Sequence, residues 1–237
     1  MPMPPSPALS RPPRAAAPGP GFLAAIPGET RPERIADAAV HMLGLLAAVI
    51  ACGVLAMTVP RGAGAGTMLA LLIYGLGLLA MLGCSAIYNM SSVAERRALL
   101  QKLDHSAIFT MIAGTYTPVA GLGIGGTWGL GLLGVVWTGA LGGAALRIWA
   151  PARAERVSLL FYLLLGWAGI AAFDPLLRAL SSWDLAMLLT GGLIYSLGVL
   201  FHLAERLPYH YAMWHGCVVT AAACHYLVVL DLARGAG

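Results

Sequence analysis

Ser85, Asn89, Asp104, Tyr211 and His215 are the residues whose types and spacing could do chemistry in this chain, because each interrupts or borders a long apolar run. Ser85 and Asn89 stand four apart, hence on one face of a helix that contains both, and Tyr211 and His215 repeat that spacing. Asp104 has two readings that coexist. Ahead of an apolar run it is an N-cap for the free amides of a helix beginning there. At the edge of a bundle interior it is a carboxylate able to hold or deprotonate a water. Ser85-Ala-Ile-Tyr-Asn89 and Asp104 are joined by a short basic loop with Arg96, Arg97 and Lys102, so their polar groups converge on one membrane boundary.

The remaining histidines read as packing groups. His225 lies ten residues beyond His215, about 15 Å of helical rise, so the two cannot share one ion; His225 reads as hydrogen-bonded within the bundle. His210, five residues before His215, is out of phase with it and comes within reach only through an irregular first turn. His41 reads as a satisfied polar packing residue, with support of a site from behind as the alternative. His105 reads as a cap or interface residue, and His202 lies near the end of its run.

These groups need a bundle to position them. The chain has 237 residues, of which 59% are hydrophobic and only 10% charged, far too apolar for an ordinary soluble domain. Seven runs approach the ~20 residues that cross a hydrocarbon core, at about 37–59, 67–89, 105–122, 127–148, 157–174, 183–203 and 211–230. The predicted fold is therefore an all-α, seven-transmembrane bundle. Residues 1–34 carry ten prolines and four arginines without apolar periodicity, and are expected to form a disordered tail that lacks the order of a cleaved signal peptide. Pro118 removes a backbone bond within the third run and predicts a kink over Thr115–Pro118. Glycines inside the spans predict close helix packing.

Positive charge gives an expected orientation. Arg11, Arg14, Arg31, Arg34, Arg96, Arg97, Lys102, Arg147, Arg153, Arg156 and Arg206 fall on one side, against Arg61, Arg178 and Arg234 on the other. The N-terminus is thus expected in the cytoplasm and the C-terminus outside, with the polar groups at the cytoplasmic boundary. The cations form no stripe with aromatics, which argues against a nucleic-acid partner. Cys52, Cys84, Cys217 and Cys224 lie in apolar runs without a C-x-x-C pair and read as free buried thiols.

Several stretches carry a resemblance: Glu33-Arg34-Ile35, His41-Met-Leu-Gly44, Ser85-Ala-Ile-Tyr88, Leu103-Asp-His-Ser-Ala-Ile108, Ile112-Ala-Gly-Thr-Tyr-Thr-Pro118, Gly191-Gly-Leu-Ile-Tyr195 and Trp214-His215 with His225. With them, residues 33–230 resemble the hemolysin III branch of the progestin and adiponectin receptor (PAQR) superfamily. The resemblance implies a bacterial inner (cell) membrane protein of seven helices. It also implies a zinc ion held by one histidine of the second helix and two of the seventh, with a helix-three aspartate near a zinc-bound water and a helix-two serine beside it. Carried residue by residue, Asp104 and Ser85 take the catalytic positions and His215 one metal position. Asn89 and Tyr211 stand where the other two histidines belong, and neutral Asn or Tyr binds zinc poorly. His41 and His210 are assigned to the surrounding pocket.

The expectation is a degenerate cytoplasmic-side pocket, with zinc weakened as a cofactor, membrane lipids as partners, and a role in membrane lipid homeostasis or lipid sensing. A metal-dependent lipid amidase of ceramidase type is the enzymatic alternative. A pore-forming cytolysin is the third reading, and no polar stripe along several helices supports it.

Overall fold

In the computed structural model, residues 30–91, 94–149 and 155–235 are described, and all their regular structure is helical. The helices are α1 (Arg31–Thr58), α2 (Ala65–Met90), α3 (Ala94–Pro118), α4 (Gly126–Trp149), α5 (Glu155–Gly166), α6 (Phe173–Ala179), α7 (Ser182–Leu203) and α8 (His210–Gly235). A 3-10 turn over Ala168–Ala172 joins α5 to α6 into one span. Among the described residues, seven segments are long and apolar enough to cross a membrane.

Two boundaries differ from the expectation. Helix α1 begins at Arg31, so the last four residues of the expected tail 1–34 are helical, while residues 1–29 lie outside those described. The cause is local: the Glu33 carboxylate accepts bonds from the Thr30 amide at 2.7 Å and the Thr30 hydroxyl at 2.6 Å, which caps the helix ahead of its apolar run. Helix α3 starts at Ala94, and Arg96, Arg97 and Lys102 are helical, where a basic loop was expected. Hydropathy locates the part of a helix that meets hydrocarbon; a charged extension beyond it continues the backbone ladder at no cost in desolvation. Asp104 is consequently well inside α3, and its N-cap reading is overturned.

Pro118 ends the regular part of α3, which continues as a π-helical segment over Val119–Ile124. The hydroxyls of Thr115 and Thr117 donate to the carbonyls of Met111 and Ala113, four residues back. Gly125 and Gly126 then turn the chain with φ of 62° and 56°, values that favour glycine.

Helix α3 is the centre of the bundle: half of its apolar window is buried, a larger share than in any other span. Its residues enter two of the apolar clusters. One gathers Ala107 and Met111 with α1, α2 and α8; the other gathers Phe109 and Ala113 with α4 and α5. The buried face of α1 reads Asp37, His41, Gly44, Ala48 and Leu55, a helical stripe whose polar end lies towards the N-terminus. Gly44 lets α8 come close there, since a Cβ at that position would stand 2.6 Å from Val219 Cγ2.

Candidate functional site

At the end of the bundle that carries the start of α1, three helices converge. Glu33 accepts a bond from the Tyr209 amide at 3.0 Å, tying the first turn of α1 to the turn ahead of α8. Tyr209 has φ of 61°, a left-handed conformation unusual for a non-glycine residue. With both helix starts linked and Gly44 against Val219, the next turns bring Asp37 to His215.

The polar centre is built from there. His215 Nδ1 donates to Asp37 Oδ1 at 2.6 Å, a buried carboxylate–imidazole pair. His41 Nδ1 donates to the Asp37 carbonyl at 2.8 Å and lies 3.5 Å from Asp37 Oδ2. A carbonyl only accepts, so Nδ1 carries the proton and Nε2 carries the lone pair. That nitrogen faces the Ser85 hydroxyl at 3.1 Å and the Asn89 amide at 3.4 Å. Asn89 also donates to the Ser85 carbonyl at 2.9 Å. On the far side of Ser85, its hydroxyl is a hydrogen-bond partner of the Asp104 carboxylate. The rings of His41 and His215 meet edge to face, with centroids 4.2 Å apart.

Asp37, His41, Ser85 and Asp104 are all at least nine-tenths buried. Burial of so many polar groups is sustained because each is hydrogen-bonded to another. One ligating atom from each of Asp37, His41 and His215 lies within 4.8 Å of the others, close enough for the three to bind a metal ion.

The cluster opens into a cavity of ≈ 210 Å³ whose wall is mainly apolar, with Met81, Ile112, Tyr195 and Val218 among its residues. Arg147 brings a positive charge to the same wall, buried and bonded to the His105 ring. The His105 carbonyl accepts from the Tyr162 hydroxyl at 2.8 Å, so His105 joins α3, α4 and α5 rather than capping a helix. Lys102 reinforces this end by donating to the Ile148 carbonyl at 2.7 Å.

The structure therefore brings Ser85, Asn89, Asp104, His41 and His215 together. His41, assigned from the sequence to the surrounding pocket, lines the cavity and is a central member of the cluster. Asn89 takes part as a hydrogen-bond donor. Tyr211 lines the cavity and packs its ring against His202 and His210. His210 is not in the cavity's lining, and stacks on Tyr211 with centroids 4.1 Å apart. His225 donates to the Leu188 carbonyl at 3.2 Å, the bundle hydrogen bond expected of it. Asp37 is the residue that sequence reasoning overlooked. Its signal was present: a carboxylate four residues before His41, at the mouth of an apolar span.

The family described as Haemolysin-III related matches residues 32–226. This chain belongs to the haemolysin-III related family. Within it, the Bacillus subtilis hemolysin-3 homolog is 34% identical over 198 residues, covering 84% of this chain and 93% of the relative. Hemolysin-3 of Bacillus cereus is also 34% identical, over 84% of this chain and 90% of its own length. The human monocyte to macrophage differentiation factor is 32% identical over 168 residues, covering 66% of this chain and 67% of that protein, and it carries the link to the PAQR superfamily. As a haemolysin-III related protein with seven apolar spans, the chain is an integral, multi-pass membrane protein.

Proposed function

We propose that this haemolysin-III related protein holds a membrane lipid in the cavity, with the lipid's polar end against His41, Ser85, Asp104 and His215, and that it acts in membrane lipid homeostasis or lipid sensing. The observation that carries this reading is a buried polar cluster closing one end of an apolar-walled cavity inside a membrane bundle. A lipid matches both parts: acyl chain on the apolar wall, carbonyl or headgroup on the hydrogen-bonding groups. By the positive-charge count, the polar end faces the cytoplasm. The test is native mass spectrometry of the protein released from mild detergent. Wild type is expected to carry a lipid adduct that Ile112→Phe, which adds bulk to the cavity wall, reduces. Retention of the same adduct by a folded Ile112→Phe protein overturns the reading.

The Ser85–His41 contact beside Asp104 favours a second reading, a lipid amidase. Water would add to the amide carbonyl, Asp104 would take the water's proton and deliver it to the departing nitrogen, and a fatty acid and an amine would leave. Hydrolysis of a short-chain ceramide by the purified protein, abolished in Asp104→Asn, supports this reading; no turnover above protein-free micelles removes it.

A further inference from the structure

The family resemblance points to a metal held by a helix-two histidine and two helix-seven histidines, and two of those three positions are Asn89 and Tyr211. The structure supplies two other donors at the same end of the bundle, both from α1. Asp37 and His41 stand one turn apart on its buried face, and both point to the α8 residue, His215, that keeps a ligand's identity.

We infer that the metal site has moved within the bundle: Asp37, His41 and His215 form a two-histidine, one-carboxylate site for a divalent ion of the zinc type, with α1 in place of the second-helix and first α8 ligands. This goes beyond lipid binding and stands whether or not the cavity holds a lipid.

Three observations support the fit. The donor set is one that binds zinc and leaves a coordination position open. A ligating histidine normally donates its other ring nitrogen to a neighbour: with the ion on His41 Nδ1 in place of the Asp37 carbonyl bond, Nε2 carries the proton and meets the Ser85 hydroxyl at 3.1 Å. The spacing is also close to what an ion needs. Ligands at ~2.0–2.1 Å around a tetrahedral zinc sit roughly 3.3 Å from one another, and His41 Nδ1 lies 3.5 Å from Asp37 Oδ2. Asp37 Oδ1 and His215 Nδ1, 2.6 Å apart, share a proton that an entering ion displaces to solvent. Asp104 and Ser85 border the cluster without joining it, the arrangement of groups that would face the open position. When bound, such an ion polarises a carbonyl or a water.

The competing account is a metal-free ion pair that only ties α1 to α8, and elemental analysis separates the two. Protein purified in mild detergent, given excess zinc and then dialysed against zinc-free buffer, is expected to keep close to one zinc per chain. Asp37→Asn and His41→Gln are each expected to lower zinc affinity at least tenfold, while Tyr211→Phe leaves it within about threefold. Wild type that retains no zinc overturns the inference, and so does zinc that follows Tyr211 rather than Asp37 and His41. Should the Asp37 and His41 variants fail to fold, cobalt(II) titration of wild type decides: an intense visible band of a four- or five-coordinate ion supports the site, and the weak spectrum of the hydrated ion refutes it.

Discussion

Removing the His215 imidazole isolates the Asp37 carboxylate, and the structure sets how much that costs. The side chains are 7% and 12% exposed and meet at 2.6 Å, so solvent screens the pair little. Breaking a buried pair by deleting one partner costs about 3–5 kcal/mol, because the surviving charge loses its compensation. Here His41 stands 3.5 Å from the other carboxylate oxygen and offers partial replacement, which puts the expected loss for His215→Ala at the lower end, about 3 kcal/mol or roughly a hundredfold in the folding equilibrium. Deleting both partners removes the orphaned charge, so Asp37→Ala with His215→Ala is expected to be more stable than His215→Ala alone. The assay is reversible unfolding in mixed micelles of dodecyl sulfate and a mild detergent, with chelator present, read by circular dichroism for wild type, both single variants and the double variant. Additivity within about 0.5 kcal/mol, with the double variant the least stable of the four, would refute the claim that the two side chains are one energetic unit.

Other outcomes follow from packing and from the absence of a polar stripe. A Cβ at Gly143 would stand 2.3 Å from the Phe109 ring, which is fully buried, so Gly143→Ala must displace α4 from α3; a loss of about 1–3 kcal/mol is expected in the same unfolding assay. The Tyr116 hydroxyl donates to the Gly166 carbonyl at 2.8 Å and accepts from the Gly169 amide at 2.7 Å, satisfying the backbone where α5 breaks. Tyr116→Phe leaves both groups unpaired at about 1–3 kcal/mol each, and faster amide hydrogen exchange confined to residues 166–172 is the signature. Vesicles containing the protein are expected to lose potassium no faster than protein-free vesicles, because a water-filled pore needs polar side chains along several helices; a sustained leak would revive the cytolysin reading.

Much of the candidate site was legible before the fold was known. Ser85 and Asn89, and Tyr211 and His215, share faces by helical spacing alone, and a polar residue in an apolar run is conspicuous because lipid tolerates so few. Asp104 was marked as a site residue for the same reason, although its N-cap role failed once α3 proved to begin at Ala94. Asn89 and Tyr211 were visible as departures from the family's histidines. Asp37 was not visible as a site residue, because its partner His215 lies 178 residues away.

The sequence by itself determined the class and the number of spans: length and hydrophobicity of a run are local properties, and seven runs near the bilayer's thickness need no tertiary information to count. The tertiary structure alone decided that Asp37 meets His215, 178 residues away. That contact depends on the close approach of α1 and α8 at Gly44 and Val219, and on the Glu33–Tyr209 bond that aligns their first turns. Neither is a periodicity or a spacing. Each is set by the way two distant helices fit together, so the face of α1 that carries Asp37 and His41 meets His215 only when the bundle is assembled.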